Sequence, residues 1–211
     1  MAELEIIGVA RSNYVWTCRI ACAEKGVEYR LTRGFPNTPE MRALHPFGKI
    51  PAMRHGGLLL CESKAICTYV DRAFPGPRLI PEEPAAAALV EQWVSLVNTA
   101  IDPLCMRRYL YAHVFPGTPD GAPDGAAIAA ALPALGEQLD LLDRSVAPTG
   151  HLAGDGFTLA DAFLVPILYY IARLPEAGRI MAGLPALTGY LRRHLARPSV
   201  AATEPPPPKP R

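Results

Sequence analysis

Residues 45–53 read HPFGKIPAM and residues 58–66 read LLLCESKAI. Pro51 stands where an extended run is about to begin. Proline gives no N–H to a ladder, so it belongs at a strand start or on an edge. The apolar runs PAM and LLLC flank His55-Gly56-Gly57, the signal of a hairpin. The second run passes straight into Glu62-Ser63, and ESKAICTYVDRAF continues with helical periodicity to Pro75-Gly76. The stretch spells strand, turn, strand, helix, with an acid and a hydroxyl at the last junction. By position alone, Ser63 is a cap of its own helix.

Upstream, LEIIGVA is a short apolar run closed by glycine, a buried strand. NYVWTCRIACAEKG then changes period: Val15, Cys18 and Cys22 share a helical face, and Gly26 supplies the stop. VEYRLTR is a second strand, and this β-α-β order favours a parallel pair with a right-handed crossover. TPEMRALHP is a short helix closed by Pro46. The first 78 residues therefore run β-α-β, loop, β-β-α.

Downstream, PGPRLIPEEP is a proline-rich connector, and no strand pattern follows it. AAAALVEQWVSLVNTAIDPLCMRRYLYAHVF is one long helix or two, with a kink expected at Pro103. PGTPDGAPDG is a loop, and AAIAAALPALGEQLDLLDRSV, FTLADAFLVPILYYIARL and LPALTGYLRRHLARP are helices. Thr158-Leu159-Ala160-Asp161 fits a capping box at the start of the most apolar of them. EPPPPKPR is an extended, mobile tail. The expected division is a domain over 1–78, a linker over 79–86, an all-helical domain over 87–203 and the tail over 204–211.

Composition narrows the function classes. Half of the 211 residues are hydrophobic, which excludes disorder for most of the chain. Lys+Arg number 21 against Asp+Glu 20, so there is no basic field for nucleic acid or an anionic membrane surface. The opening MAELEIIGVARSN lacks a signal-peptide pattern, and no run of about 18 apolar residues occurs. Five cysteines without C-x-x-C or metal-ligand spacing read as buried thiols in a reducing compartment. No metal site and a cytoplasmic location are the expectations.

The order of elements, together with HPFGKIPAM, LLLCESKAI, FTLADAFLVPIL and the closing LARPSV, resembles the cytosolic glutathione S-transferases over roughly residues 4 to 200. The branch it looks like is a serine-type, theta/phi-like bacterial member. The resemblance implies an N-terminal thioredoxin-like domain (α/β) followed by an all-helical C-terminal domain. It also implies glutathione as co-substrate with no other cofactor, a small hydrophobic electrophile as second substrate, a role in detoxification, and a homodimer.

Site residues follow from the same resemblance. Pro51 has a cis peptide bond, which turns the backbone N–H and C=O of Ile50 toward the cysteinyl backbone of glutathione. The helix that starts at Ser63 meets the γ-glutamyl carboxylate with its N–H groups, as helix N-termini suit anions. Glu62 answers the γ-glutamyl amine, and Lys49 offers a cation to the glycyl carboxylate, where His45 is a second candidate. Ser12, in GVARSNYVW, is the catalytic hydroxyl. A free thiol titrates near pH 8.5 (about), and a hydroxyl donor beside a helix N-terminus stabilises the thiolate. Tyr14 is the rival hydroxyl. Met106, Arg108, Tyr109 and Phe115 are candidates to line the electrophile pocket, and Asp102 either reaches a partner's glutathione amine or serves as local turn chemistry before Pro103. The rival functions are a glutathione-dependent isomerase or peroxidase on the same fold, and a non-catalytic interaction protein.

Overall fold

The computed structural model describes residues 3–115, 117–118 and 121–207. The chain forms two compact units. The first runs to Pro81 and resumes at Ala196, and the second is Glu82–Leu195.

The first unit contains β1 (Leu4–Ile7), α1 (Asn13–Glu24), β2 (Tyr29–Thr32), α2 (Pro39–Leu44), β3 (Ala52–His55), β4 (Leu58–Cys61) and α3 (Ser63–Ala73). Its sheet has the order β2-β1-β3-β4, with β1 parallel to β2 and antiparallel to β3. β1 is buried throughout, which explains its apolar, non-alternating sequence. Its one acid, Glu5, accepts from Thr32 Oγ1 at 2.6 Å and pairs with Arg30 and Arg54, its register partners on the two neighbouring strands. Gly56, with φ 58°, supplies the left-handed turn between β3 and β4. Thr38 and Pro39 cap and open α2. This is the β-α-β, loop, β-β-α order that the sequence pattern anticipates, in the thioredoxin-like arrangement that the resemblance implies.

The second unit is helical: α4 (Pro84–Leu96), α5 (Tyr111–Val114), α6 (Gly125–Val146), α7 (Leu159–Ile171), α8 (Pro175–Ala182) and α9 (Pro185–Leu195). Between α4 and α5 the helix runs on through Val97–Ile101 and Pro103–Leu110 in π-helical form. Asp102 N–H bonds to Val97 O and Tyr111 N–H to Met106 O, five residues back in each case. Pro103 has no N–H for the usual four-residue bond, and widening the turn accommodates its ring without a break. The long helix is therefore continuous past the residue expected to kink it. Part of the PGTPDGAPDG loop, residues 116, 119 and 120, lies outside the described residues. α8, eight residues between prolines, has no counterpart in the sequence reading.

α7 is buried along nearly its whole length, and its start is secured by Asp161. Asp161 accepts from Leu152 N–H (2.8 Å), Thr158 N–H (2.9 Å), Thr158 Oγ1 (3.2 Å) and the Tyr190 hydroxyl (2.9 Å). The expected capping box is present. His194 lies against the rings of Tyr190, His151 and Phe157, with Nε2 3.3 Å from Gly150 O. Burial pushes its pKa down to about 4; the Asp161 carboxylate and the Gly150 carbonyl oppose the fall, while His151 and Arg193 add to it. The folded state thus keeps this ring neutral, whereas an unfolded histidine takes up a proton below about pH 6.5. The unfolded chain binds the extra proton in that window, so stability falls as pH drops from about 6.5 toward 4. Melting curves across this window should decline with acid in the wild type and decline less in His194→Gln. Equal slopes in the two proteins would count against this assignment.

After α9, α10 (Pro198–Ala202) rejoins the first unit. Arg197 forks onto Glu24 of α1 at 2.5 and 2.8 Å, Ser199 donates to the same carboxylate, and Trp16 Nε1 donates to Thr203 Oγ1 at 2.9 Å. Arg11 donates to the carbonyls of Pro206 (3.2 Å) and Pro207. The boundary therefore differs from the expected helical domain over 87–203: residues 196–207 pack with α1, because its polar side chains supply their partners. The linker expected over 79–86 also starts too early, since residues through Pro81 belong to the first unit. Leu79 N–H donates to Asp71 Oδ1 at 2.7 Å, and Lys25, paired with Asp71 at 3.4 Å, donates to the carbonyls of Gly76 and Pro77.

Candidate active site

Three segments leave the sheet of the first unit at one end. The register pairs Ile7 with Ala52 and Ala52 with Cys61. The loop after β1, the Ile50-Pro51 entry to β3 and the Glu62-Ser63 exit from β4 are consequently neighbours. Gly8 tightens this end further. A Cβ there would stand 2.5 Å from Val15 Cγ2 and 3.4 Å from Ile50 Cβ, so only glycine lets α1 and the Ile50 segment close around the turn. On the other side, Cys18 of α1 lies 3.8 Å from both the Ser63 carbonyl and Cys67 Sγ, which packs α1 against the first turn of α3.

Each segment presents a distinct group. The Ile50–Pro51 peptide bond is cis. Among the described residues no hydrogen bond engages the Ile50 N–H or C=O, although Ala52, the second residue after it, is paired on both sides. A strand-like ligand can therefore take both groups. α3 begins without a side-chain cap: Glu62 occupies the N-cap position and its carboxylate makes no capping bond. The first N–H groups of the helix, and the buried Ser63 hydroxyl among them, suit an anion. Glu62 has φ 70°, a backbone region that side-chain-bearing residues seldom occupy. Its side chain is 64% exposed, with one oxygen 3.2 Å from His45 Nε2.

Ser12 is the N-cap of α1, its Oγ accepting from Val15 N–H at 3.4 Å. That bond uses one acceptor site and leaves the hydroxyl hydrogen free to donate. Tyr14 is the second residue inside α1, half-buried, while the end of β1 carries Ile7. Lys49 is exposed, its ammonium 5.9 Å from the Phe47 ring centroid. His45 differs from a solvated loop histidine: it is 2% exposed, with Nδ1 accepting from Phe47 N–H and Nε2 3.2 Å from a Glu62 oxygen. The burial depends on the α2–β3 loop folding back, and no local sequence signal marks it.

The residues expected around the electrophile belong to the second unit and divide. Met106 and Tyr109 are core; Tyr109 donates to Glu176 at 2.8 Å and accepts from Ala177 N–H, while burial pushes its pKa up to about 12. Arg108 and Phe115 line a cavity of about 380 Å³ with Arg107, Tyr111 and the α6 alanines Ala127 and Ala131. Asp102 is 4% exposed and accepts from Arg107 Nε at 3.0 Å.

Burial pushes the Cys18 and Cys22 thiols up, away from thiolate chemistry. Among the described residues, His151, Asp161 and His194 bring three potential metal-ligand atoms within 4.8 Å of one another. The Asp161 oxygens already accept four hydrogen bonds, so this group acts as a cap.

Comparisons with known proteins point to one family. Residues 6–78 match the family described as glutathione S-transferase, N-terminal domain, and residues 125–193 match glutathione S-transferase, C-terminal domain. The chain is 34% identical over 224 residues to glutathione S-transferase 3 of Zea mays, covering 99% of this chain and 98% of that protein. It superimposes with a TM-score of 0.84 on glutathione S-transferase III in apo form, at 31% identity over 99% of this chain and 100% of that one. A theta class glutathione S-transferase from the citrus canker pathogen Xanthomonas axonopodis pv. citri, with glutathione bound, gives 0.83 at 30% identity, over 96% and 97% of the two chains.

Proposed function

Because the chain belongs to the glutathione S-transferase family, we propose that it binds glutathione at the sheet end just described, holds its thiol as the thiolate, and adds that thiolate to a small hydrophobic electrophile. The observation that carries this reading is the meeting of the Ile50 backbone and the uncapped start of α3 at one end of the sheet.

The parts act in sequence. Ile50 takes the cysteinyl backbone of glutathione in a two-bond antiparallel contact. The γ-glutamyl carboxylate lies on the first turn of α3, where the N–H groups and the Ser63 hydroxyl receive it. Glu62 takes the γ-glutamyl amine, and Lys49 screens the glycyl carboxylate. The Ser12 hydroxyl then donates to the sulfur, which the N-terminus of α1 also favours as an anion. Catalysis is mainly electrostatic stabilisation plus positioning. The thiol proton leaves to water. The sulfur bonds an electrophilic carbon as a leaving group such as halide departs with its bonding pair, or as a π bond at that carbon opens and the far atom takes up a proton from water. The glutathione sulfur is the nucleophile. The loop after β1 and the start of α1, GVARSNYVW, hold no cysteine to serve as the site thiol of a thiol-disulfide reductase. Calorimetric titration tests the proposal. Saturable heat at or below millimolar glutathione is expected, and no binding at that concentration would overturn it.

We also infer a homodimer. Leu58 and Leu59 on the sheet edge of one unit, and Leu89 and Leu96 on the α4 surface of the other, are exposed large apolar residues that a second copy would cover. Light scattering at micromolar concentration should give twice the 22.8 kDa chain mass, and the mass of one chain would refute the dimer. The reducing cytoplasm, where free thiols such as these persist, is the compartment we assign.

A further inference from the structure

We propose that His45 is a positioning residue that fixes the Glu62 carboxylate for the amine of the bound peptide. The inference rests on the reading of Glu62 as the ligand of the γ-glutamyl amine.

Glu62 needs a restraint that its own neighbours do not give. Its side chain is 64% exposed, and it makes no capping bond to α3. A long exposed carboxylate samples several rotamers, and ordering it on binding would weaken the complex. His45 supplies the restraint from a fixed position. The ring is 2% exposed and sits at the C-cap of α2, where its own N–H bonds to Met41 O at 2.8 Å. Its carbonyl accepts from Gly48 N–H at 2.8 Å, and Nδ1 accepts from Phe47 N–H at 3.1 Å.

The Phe47 contact sets the tautomer. An Nδ1 that accepts a backbone N–H carries no hydrogen, so the ring is the neutral form with its hydrogen on Nε2. That Nε2 lies 3.2 Å from Glu62 Oε1, and in the proposed arrangement its hydrogen is donated to that oxygen. One oxygen of Glu62 is thereby tied to a buried ring, while the other remains for an ammonium group. The left-handed backbone of Glu62 and the buried His45 thus hold the carboxylate from its two ends.

Two substitutions separate the two nitrogens. Asparagine places its side-chain oxygen near the position of Nδ1, keeping the acceptor for Phe47 N–H but losing the reach to Glu62. Glutamine places its amide near Nε2, keeping a donor for Glu62. The experiment is a double-mutant cycle in the full chain, with calorimetric glutathione affinity, kcat and melting temperature measured for wild type, His45→Asn, His45→Gln, Glu62→Ala and His45→Asn/Glu62→Ala. His45→Asn should weaken glutathione binding about 3- to 10-fold, the scale of one hydrogen bond, with kcat and melting temperature close to wild type. His45→Gln should recover most of the loss. Glu62→Ala should weaken binding about 5- to 150-fold, and adding His45→Asn to it should cost nothing more.

Wild-type affinity in His45→Asn beside a weakened Glu62→Ala would overturn the role of His45 and leave the site reading intact. An undiminished His45→Asn effect in the Glu62→Ala background would show that His45 acts elsewhere. Wild-type affinity in Glu62→Ala would overturn the reading of Glu62 itself. Should His45→Asn fail to fold, the nitrogen-15 spectrum of the wild-type imidazole decides: the hydrogen on Nε2, with a shift change in Glu62→Ala, supports the proposal, and a hydrogen on Nδ1 refutes it.

Discussion

Replacing Ser12 with alanine is expected to lower kcat about 100-fold, the scale of losing one donor aimed at a developing anion. The Ser12 hydroxyl accepts from Val15 N–H and has its hydrogen left for the sulfur. Its loss withdraws a bond that favours the thiolate over the thiol, so glutathione affinity should stay within about threefold while turnover falls. The cap is lost as well, at about 1 kcal/mol, which in a chain of this size lowers the melting temperature by about 2–4 °C. Ser12→Thr retains both hydroxyl and cap and should keep most of the activity. Steady-state kinetics with an activated aryl halide decide the matter. Full activity in Ser12→Ala, with the loss appearing in Tyr14→Phe, would move the role to Tyr14.

Asp161→Ala should be the most destabilising single change at a polar residue. The carboxylate is 0% exposed and receives Leu152 N–H, Thr158 N–H, the Thr158 hydroxyl and the Tyr190 hydroxyl. Burial, with the Asp161 charge beside it, pushes the Tyr190 pKa well above its ordinary value, so this phenol stays a donor. Removing the acceptor strands several donors at about 1–3 kcal/mol each, and partial access of water brings the total to about 3–5 kcal/mol. For a chain of this length that corresponds to about 6–20 °C in melting temperature. Thermal denaturation checks it, and a shift under about 2 °C would mean that the capping network contributes little.

The topology of the first unit was legible because its signals are local. Apolar runs closed by Gly8 and Gly26, the Gly56-Gly57 turn and Thr38-Pro39 each fix one element within a few residues. The site was legible as a set of motifs, and the Ile7–Ala52–Cys61 register explains why separate stretches of the sequence share one sheet end. What the sequence hid depends on distant partners. Residues 196–207 look like the end of a helical domain until Glu24, Trp16 and Arg11 supply their hydrogen bonds. Pro103 reads as a kink because proline removes a bond, and nothing local shows that the helix widens instead. His45 precedes a proline in a loop, and its burial follows only from the path of the chain through Phe47 and Gly48.

Ultraviolet difference titration of the thiolate in the glutathione complex of the wild-type protein tests the central claim most directly. A free thiol titrates near about pH 8.5. With the Ser12 hydroxyl and the α1 N-terminus at the sulfur, the bound thiol should titrate at least about one unit lower, and Ser12→Ala should return it toward the free value. A saturated complex in which the wild-type thiol titrates at its free value would contradict the account.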